Sequence, residues 1–357
     1  MFIHLDMDYF FAQAEEKRHP EYIGKIVVVC VYSKKTGDAG VVSTVNYEGR
    51  KRGIHSGQPI FQAKRKAPLD AVFIPVDHGY YSLVSADIGK IIEKFGDAHQ
   101  TSIDEWFIET KNMAEATARA AKQEVKAKIG ITCSVGVAPS LLGAKMAADR
   151  CKPDGLLALD EENERKLIND SDVDKIIGIG KKSAETLNNL SVFRVKDLKR
   201  IDPVLLVERF GKKTGSWLVA LAEGRYHGLL MQEHDEQGEV SRIGTLENKT
   251  RDPSILLEKV TELEKDAKRW LRENNKFFRT LIITFVTEDM AAHSKSISFR
   301  KPRGWSDDNS AEERMLISQF LDESSLEIRR IGMKYFNFLD VSGQKTLADE
   351  FCNLLYF

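Results

Sequence analysis

The stretch HLDMDYFFAQAEE, residues 4–16, ends an apolar run on two carboxylates, Asp6 and Asp8, and follows them at once with three aromatics. The opening MFIHL has the character of a short buried strand, and YFFAQAEEKRH has the polarity pattern of a helix starting just beyond it. A carboxylate at a strand end costs little if it is solvated. Asp6 and Asp8 therefore mark the carboxyl end of a strand. Asp6 alone also suits a turn or a helix cap.

A further pair of acids changes that balance. SIDEWFIET is a second strand candidate in which Asp104 and Glu105 are adjacent. Neighbouring strand residues point to opposite faces, so either one of the two is turned toward Asp6 at a bend, or both lie near an exposed strand end. Three acids converging from two adjacent strands repel one another unless a cation neutralises them. Hard oxygen ligands with no His or Cys beside them favour Mg²⁺ or Mn²⁺. Two such ions, about 3.5–4 Å apart, stabilise the attacking and leaving oxygens of an in-line phosphoryl displacement. That chemistry also needs donors around a triphosphate. NYEGRKRG offers Tyr47 and Arg50 on one helical face, and RCKPDG offers Lys152. Taken singly, these residues also suit a half-buried tyrosine and two surface charges.

At 357 residues the chain has room for roughly two to four units, each with its own core. KIVVVCVY and AGVVSTV are β-branched strand candidates around the turn SKKTGDAG, and MAEATARAAKQEVKAKIG is a helix stopped at Gly130. The strand ITCSVGVA and the helix LLGAKMAADRCK follow. Alternation of strands and helices to about residue 160 predicts a split βαβ sheet with helices on one face. From 165 to 232 short Gly-separated helices take over, and the acidic MQEHDEQGEV predicts a linker. Beyond it the pattern is βαββαβ, with strands at 241–248, 278–287, 294–300 and 328–339 and helices at 253–273 and 310–321. Lys plus Arg (53) nearly cancel Asp plus Glu (54), so any basic surface for nucleic acid must be local. Cys30, Cys133, Cys151 and Cys352 form no CxxC pair, which predicts reduced thiols rather than a zinc site or a disulfide framework. No apolar run is long enough for a membrane span, and the expectation is a soluble cytoplasmic protein.

HLDMDYFFAQAEE, VVSTVNYEGRKRG, SIDE, CSVGVAPSLLGAKMAADRCKPDG and IIGIGKKSAETL, in that order, resemble the Y-family translesion DNA polymerases, in particular the DNA polymerase IV (DinB-type) branch. The resemblance implies an α+β right-hand polymerase: a ferredoxin-like palm (1–10 and 77–164), small fingers (11–76), a helical thumb with a helix-hairpin-helix (165–232), a linker (233–240), a βαββαβ little finger (241–341) and a C-terminal tail (342–357). It implies template-directed, low-fidelity addition of deoxynucleotides to a primer 3′ end, with bypass of damaged bases and no proofreading exonuclease. Its partners would be primer-template DNA and deoxynucleoside triphosphates, and the protein would be a monomer. Asp6, Asp104 and Glu105, with the carbonyl of Met7, would hold two Mg²⁺ ions, with Mn²⁺ as a substitute. Asp8 matches a position not credited with metal binding. Tyr47, Arg50, Lys152 and the backbone amides at Tyr9 and Phe10 would hold the triphosphate, and Phe11 would be the steric gate against a ribose 2′-hydroxyl. Val31, Val41, Ser43 and Gly57 match small residues over the nascent base pair. Each of these also suits an ordinary strand, turn or core position.

Gly178 and Gly180, followed by Lys181 and Lys182, resemble a helix-hairpin-helix turn whose amides hold a phosphate without reading bases, and FGKKTG at 210–215 repeats the pattern. Arg242, Arg300, Lys301, Arg303, Arg329, Arg330 and Lys334 fall on or near strands, which predicts a basic sheet face along duplex DNA. Ser140 stands where many relatives have Asn-Lys, and the linker is acidic where several relatives are basic. In the tail, Gln344, Leu347 and Phe351 have the spacing of a sliding-clamp-binding peptide, although Glu350 stands where a second aromatic is usual. Leu354, Leu355 and Phe357 suit instead a tail packed back on its own domain. Two rivals remain: a nucleotidyl cyclase palm, which lacks a thumb and a second DNA-tracking domain, and a non-catalytic DNA-binding scaffold, which has no need of a full set of acids and triphosphate donors.

Overall fold

The computed structural model describes residues 1–33, 37–111, 113–225 and 238–340. Gln344, Leu347 and Phe351 of the tail, and most of the 233–240 linker, lie outside the described residues. The chain divides into two compact units, Met1–Gln232 and Glu233–Phe357.

The first unit runs β1 (Phe2–Met7), α1 (Phe10–Arg18), β2 (Val27–Tyr32), β3 (Gly40–Val45), α2 (Tyr47–Lys51), α3 (Ile60–Lys66), β4 (Val72–Pro75), α4 (His78–Ile92), β5 (Asp97–Gln100), β6 (Glu105–Glu109), α5 (Ala114–Ile129), β7 (Cys133–Ala138), α6 (Leu141–Arg150), β8 (Leu156–Ala158), α7 (Glu161–Asp170), α8 (Lys181–Asn189) and α9 (Pro203–Ala222). β1 is the centre of a five-stranded sheet ordered β5-β6-β1-β7-β8 and pairs antiparallel with both neighbours. Its odd residues Ile3, Leu5 and Met7 share one core with Val135 and Val137 of β7, Tyr81 and Ile88 of α4, and Ala118 and Val125 of α5.

The other face is covered as well, which corrects the expectation of helices on one side. Phe2, Phe107 and Ala138 pack against Leu141 and Ala144 of α6. A side chain at Gly136 would put its Cβ 1.9 Å from the carbonyl oxygen of Ala144, so the missing side chain is what lets α6 lie on β7. β2 and β3 stand outside this five-stranded sheet and form their own sheet, ordered β3-β2-β4, in which β4 pairs parallel with β2. Val27 and Val29 enter the core under α1, while Val28 and Cys30 face a second core with Ile60 and Ala63 of α3. β4, β5 and β8 are short and carry little apolar patterning.

α7, α8 and α9 enclose a separate cluster that includes Ile168, Leu187, Leu206 and Leu218. Ser140 is the N-cap of α6: its hydroxyl accepts from the Gly143 amide (3.0 Å) and donates to the buried Glu164 of α7 (2.6 Å). Cys30, Cys133 and Cys151 are free thiols. No helix among the described residues is long and apolar enough to cross a membrane.

The second unit has the expected order: β9 (Glu239–Thr250), α10 (Pro253–Glu273), β10 (Lys276–Thr287), β11 (Ala292–Arg303), α11 (Ser310–Glu323) and β12 (Ile328–Asp340). Its antiparallel sheet is ordered β11-β10-β12-β9. Leu256 and Val260 of α10, with Leu316 and Phe320 of α11, cover one face over Leu281, Ile283, Ile331 and Met333. The other face is open, as an antiparallel sheet allows. Beneath the helices lies a polar knot. Tyr335 donates to Glu264 (2.7 Å), Asn309 donates to both (3.0 and 3.1 Å), and Lys268 pairs with Glu264 at 3.0 Å. Glu313 is 1% exposed, and its Oε1 has no hydrogen-bond partner among the described residues.

Burial, then the charge of Glu264, pushes the Glu313 carboxyl from 4.5 up to about 7, with Lys268 opposing and Asp308 adding to the rise. A folded value above the unfolded one means stability that is full below the unfolded value and is lost as pH rises through the folded one. The second unit should therefore lose up to about 3 kcal/mol between pH 4.5 and 8. Urea unfolding of the full chain followed through Trp270 and Trp305 checks this: Glu313→Gln should flatten the pH dependence and unfold later than wild type at pH 8. An equally steep profile in the variant would place the titration elsewhere.

Candidate active site

Antiparallel pairing sets the central geometry. Asp6 is the register partner of Glu105 across β1 and β6 and of Ser134 across β1 and β7, and directly opposed residues share a face. Glu105 opens β6, while Asp104 lies at the bend before it, where the Met7 amide donates to the Asp104 carbonyl (2.9 Å) and Ser102 donates to the Asp104 carboxylate (2.7 Å). Of the two arrangements open to SIDE, the structure therefore has the bend.

Burial, and behind it the charges of Glu105 and Asp104, push the Asp6 carboxyl up to about 7 against the opposing pull of Lys152. Lys152 Nζ lies 2.6 Å from Asp6 and 2.8 Å from Asp149, and Lys145 Nζ lies 2.5 Å from Glu105. Among the described residues, no three acidic, His or Cys side chains stand close enough together to enclose an ion. The donor chemistry nonetheless fits one: the carboxylates are hard oxygen ligands, and their mutual repulsion, felt at Asp6, is what a divalent cation would relieve. His4 is fully buried on the same face, 4.0 Å from Glu105. Burial, then Lys145 and Lys152, hold its imidazole well below the usual value, so it brings no positive charge.

Asp8 has a different part. It is 1% exposed, and its carboxylate accepts from Ser134 (2.8 Å), Thr132 (3.0 Å), Tyr47 (3.2 Å) and the Asp154 amide (2.9 Å). Gln13 donates to its carbonyl and to that of Thr132. Four donors from three segments leave Asp8 as a tie between β1, β7, α2 and the loop after α6.

α2 carries Tyr47 and Arg50 into the same region. Asn46 caps it by accepting from the Gly49 amide (3.3 Å), and is itself fixed by donating to Glu16 (2.9 Å) and the Lys25 carbonyl (2.7 Å). The Arg50 guanidinium lies over the Tyr47 ring at 4.9 Å, and Tyr9 meets that ring edge-on at 5.1 Å. Burial, then the Asp8 charge, pushes the Tyr47 hydroxyl up to about 12, so it stays a donor at neutral pH. Tyr9 turns the chain from β1 into α1 at a φ of 35°, and no side chain caps the start of that helix. Phe10 is core, whereas Phe11 is half-buried and stacked on Tyr81 at 4.3 Å and 16°. Val31 and Val41 are an exposed cross-strand pair, and Ser43 is the extra residue of the bulge beside them. Gly57 has a φ of 80° and open space where its Cβ would be; its amide donates to the Val42 carbonyl (2.8 Å).

The more distant candidates divide. Gly178, Gly180, Lys181 and Lys182 are exposed at the start of α8, and Gly211, at φ 76°, breaks α9 just before Lys212 and Lys213. In the second unit Arg330 and Lys334 lie in register with Thr245 and Ser241, on the open face with Ile243 and Phe336. Arg300 is exposed on β11. Arg242 is opposite the buried Met333 and so lies on the helix side of an edge strand; Arg303 is engaged with Glu312 (2.6 Å). Sequence reasoning missed Lys145, Asp149, Thr132 and Ser134. Lys145 was legible in one respect: it lies on LLGAKMAADRCK, the helix candidate that leads into Lys152.

Residues 5–149 match the impB/mucB/samB family, and residues 238–348 match the impB/mucB/samB family C-terminal domain. The chain is 35% identical to DNA polymerase IV of Methanosarcina acetivorans, over 97% of this chain and 98% of that one. It is 33% identical to DNA polymerase IV of Nitrosopumilus maritimus, over 98% of each. Among solved structures, a Y-family DNA polymerase chimera of Dbh and Dpo4 superposes with a TM-score of 0.85 at 32% identity, covering 95% of this chain and 99% of that one. An insertion ternary complex of Dbh DNA polymerase superposes with a TM-score of 0.62 at 32% identity and the same coverage.

The difference between Asp8 and its acidic neighbours is measurable as stability. Asp8→Ala orphans several buried donors and should cost about 3 kcal/mol or more, whereas Asp104→Ala, at a half-exposed bend, should stay within about 1 kcal/mol of wild type. Urea midpoints of the first unit decide this; equal losses would mean that Asp8 is no tie.

Proposed function

Because the chain belongs to the impB/mucB/samB family, that of the Y-family DNA polymerases, we propose that the acidic end of β1 is the centre where its low-fidelity, lesion-bypassing DNA synthesis takes place. The observation that carries this is the pairing of Asp6 with Glu105 beside Asp104, with Lys152 on Asp6 and with Tyr47, under the Arg50 guanidinium, on Asp8 two residues along. Asp6, Asp104 and Glu105, with the Met7 carbonyl, would hold two Mg²⁺ ions, or Mn²⁺ in their place. When bound, these supply Lewis-acid stabilisation to the attacking and leaving oxygens of phosphoryl transfer.

The chain's own residues do the rest. Tyr47, Arg50 and Lys152 hold the incoming triphosphate with the amides of Tyr9 and Phe10, at a helix start suited to an anion. Asp8 orients Tyr47 for this. Phe11 is the sugar gate, and its stacking on Tyr81 keeps the ring from swinging aside. Val31, Val41, Ser43 and Gly57 cover the nascent base pair with little bulk.

Primer-template DNA is held through its backbone. Amides at Gly178 and Gly180, with Lys181 and Lys182, hold phosphates, and the open sheet face with Arg330 and Lys334, together with Arg300, follows the duplex. Arg242 lies on the helix side of that sheet and takes no part in this face. The palm is assigned to 1–10 and 77–164, the fingers to 11–76, the thumb to 165–232 and the little finger to 241–341. Gln344, Leu347 and Phe351 would serve a sliding clamp, as a tether adding processivity and no chemistry.

Primer extension tests the assignment. Asp104→Ala should lower deoxynucleotide addition by at least about a hundredfold on both undamaged and abasic templates, since it removes charge only from the reacting centre. Near-normal extension would sink the acidic site. Phe11→Ala should raise ribonucleotide use relative to deoxynucleotide use by on the order of a hundredfold; unchanged sugar selection would make Phe11 an ordinary helix residue.

A further inference from the structure

Two of the three acids of the candidate centre, Asp6 and Glu105, already have cations on them: Lys145 of α6 pairs with Glu105, and Lys152, just beyond the end of α6, pairs with Asp6. Lys152 bridges two carboxylates, Asp6 and Asp149, so it keeps a partner if it leaves Asp6. Lys145 is placed differently. Its ammonium lies 2.5 Å from Glu105 Oε1, both side chains are about four-fifths buried, and no second carboxylate pairs with it among the described residues. His4 stands 4.0 Å from Glu105, beyond hydrogen-bond reach. Lys145 is therefore the one Lys or Arg paired with Glu105 among the described residues.

We propose that Lys145 is a counter-cation built into the metal centre: it neutralises Glu105 in the free enzyme and competes with a divalent ion for that carboxylate. This rests on Asp6, Asp104 and Glu105 being the metal ligands, and deepens that assignment. Without Lys145, Glu105 would be a partly desolvated anion beside two others, a state the fold would have to tolerate between catalytic cycles. With Lys145 in place, an ion must displace an ammonium before it gains the carboxylate. The displaced ammonium then stands free beside the polyanionic substrates, so loading of metal and of substrate are coupled through one side chain.

The test is equilibrium binding of Mn²⁺ to the full chain without DNA or nucleotide, read from the loss of the free-ion electron paramagnetic resonance signal. Lys145→Met should bind Mn²⁺ more tightly than wild type by on the order of tenfold, and Lys145→Arg, which keeps the charge, should stay near wild type. In a Glu105→Gln background, adding Lys145→Met should change affinity by less than about threefold, because the competed carboxylate is gone. Thermal melting of each variant confirms folding. Equal or weaker Mn²⁺ binding by folded Lys145→Met would overturn the counter-cation role while leaving the metal assignment intact. Binding by neither wild type nor Lys145→Met would overturn the metal assignment and this inference with it.

Discussion

A carboxylate that is 1% exposed survives only if its lone pairs are filled, and Asp8 fills them with four donors drawn from β7, α2 and the loop after α6. Everything at the candidate centre hangs on that tie. It fixes where β1 stops, since the next residue, Tyr9, turns the chain at φ 35° into α1. It anchors Tyr47, and through the ring of Tyr47 the guanidinium of Arg50. It also holds the amide of Asp154, two residues beyond Lys152. The second acid of the HLDMD run thus ties together the segments that surround the first.

The first acid lives under opposite conditions. Asp6 is buried yet faces Glu105 and Asp104, and the strain shows in a carboxyl pushed up to about 7. A stable fold would normally remove such a concentration of like charge. Here it is retained and offset by Lys145 and Lys152, an arrangement in keeping with the role proposed above for this strand end. Apart from Asp6 itself, His4 and Ser134, the buried residues of β1, β6 and β7 are apolar, so the concentration of like charge is confined to the strand end.

Much of this was legible from residue patterns alone. The order of elements in the second unit follows the sequence boundaries within a few residues, because long amphipathic helices and alternating strands carry strong periodicity. Asp6, Asp104 and Glu105 were readable as a set, because two strand ends each carried acids where apolar residues belong. What was not legible depends on tertiary packing. α6 covers the second face of the sheet because Gly136 has no side chain, a fact with no periodic signal. β4, β5 and β8 are too short to alternate. Whether Arg242 faces the open side of its sheet depends on register with Met333, and a one-residue shift would reverse it.

Phe11 is held far more firmly than Val31, Val41, Ser43 and Gly57. Phe11 is stacked on Tyr81, which is fully buried and donates to Glu15 at 2.8 Å, and Glu15 is itself 4% exposed. A ring backed by two buried, hydrogen-bonded neighbours cannot yield to an extra hydroxyl without disturbing the core between α1 and α4. Val31 and Val41 are more than two-fifths exposed, Ser43 sits at a bulge, and nothing lies within 4 Å of where the Cβ of Gly57 would be. A surface with that little bulk exerts scant steric pressure on the shape of a base pair. In these proposed roles the chain sets the rigidity of its two filters separately, strict toward the sugar and lax toward the base. In this reading the two filters can be tuned independently, because Phe11 packs against the core around β1, whereas Val31 and Val41 stand exposed on β2 and β3.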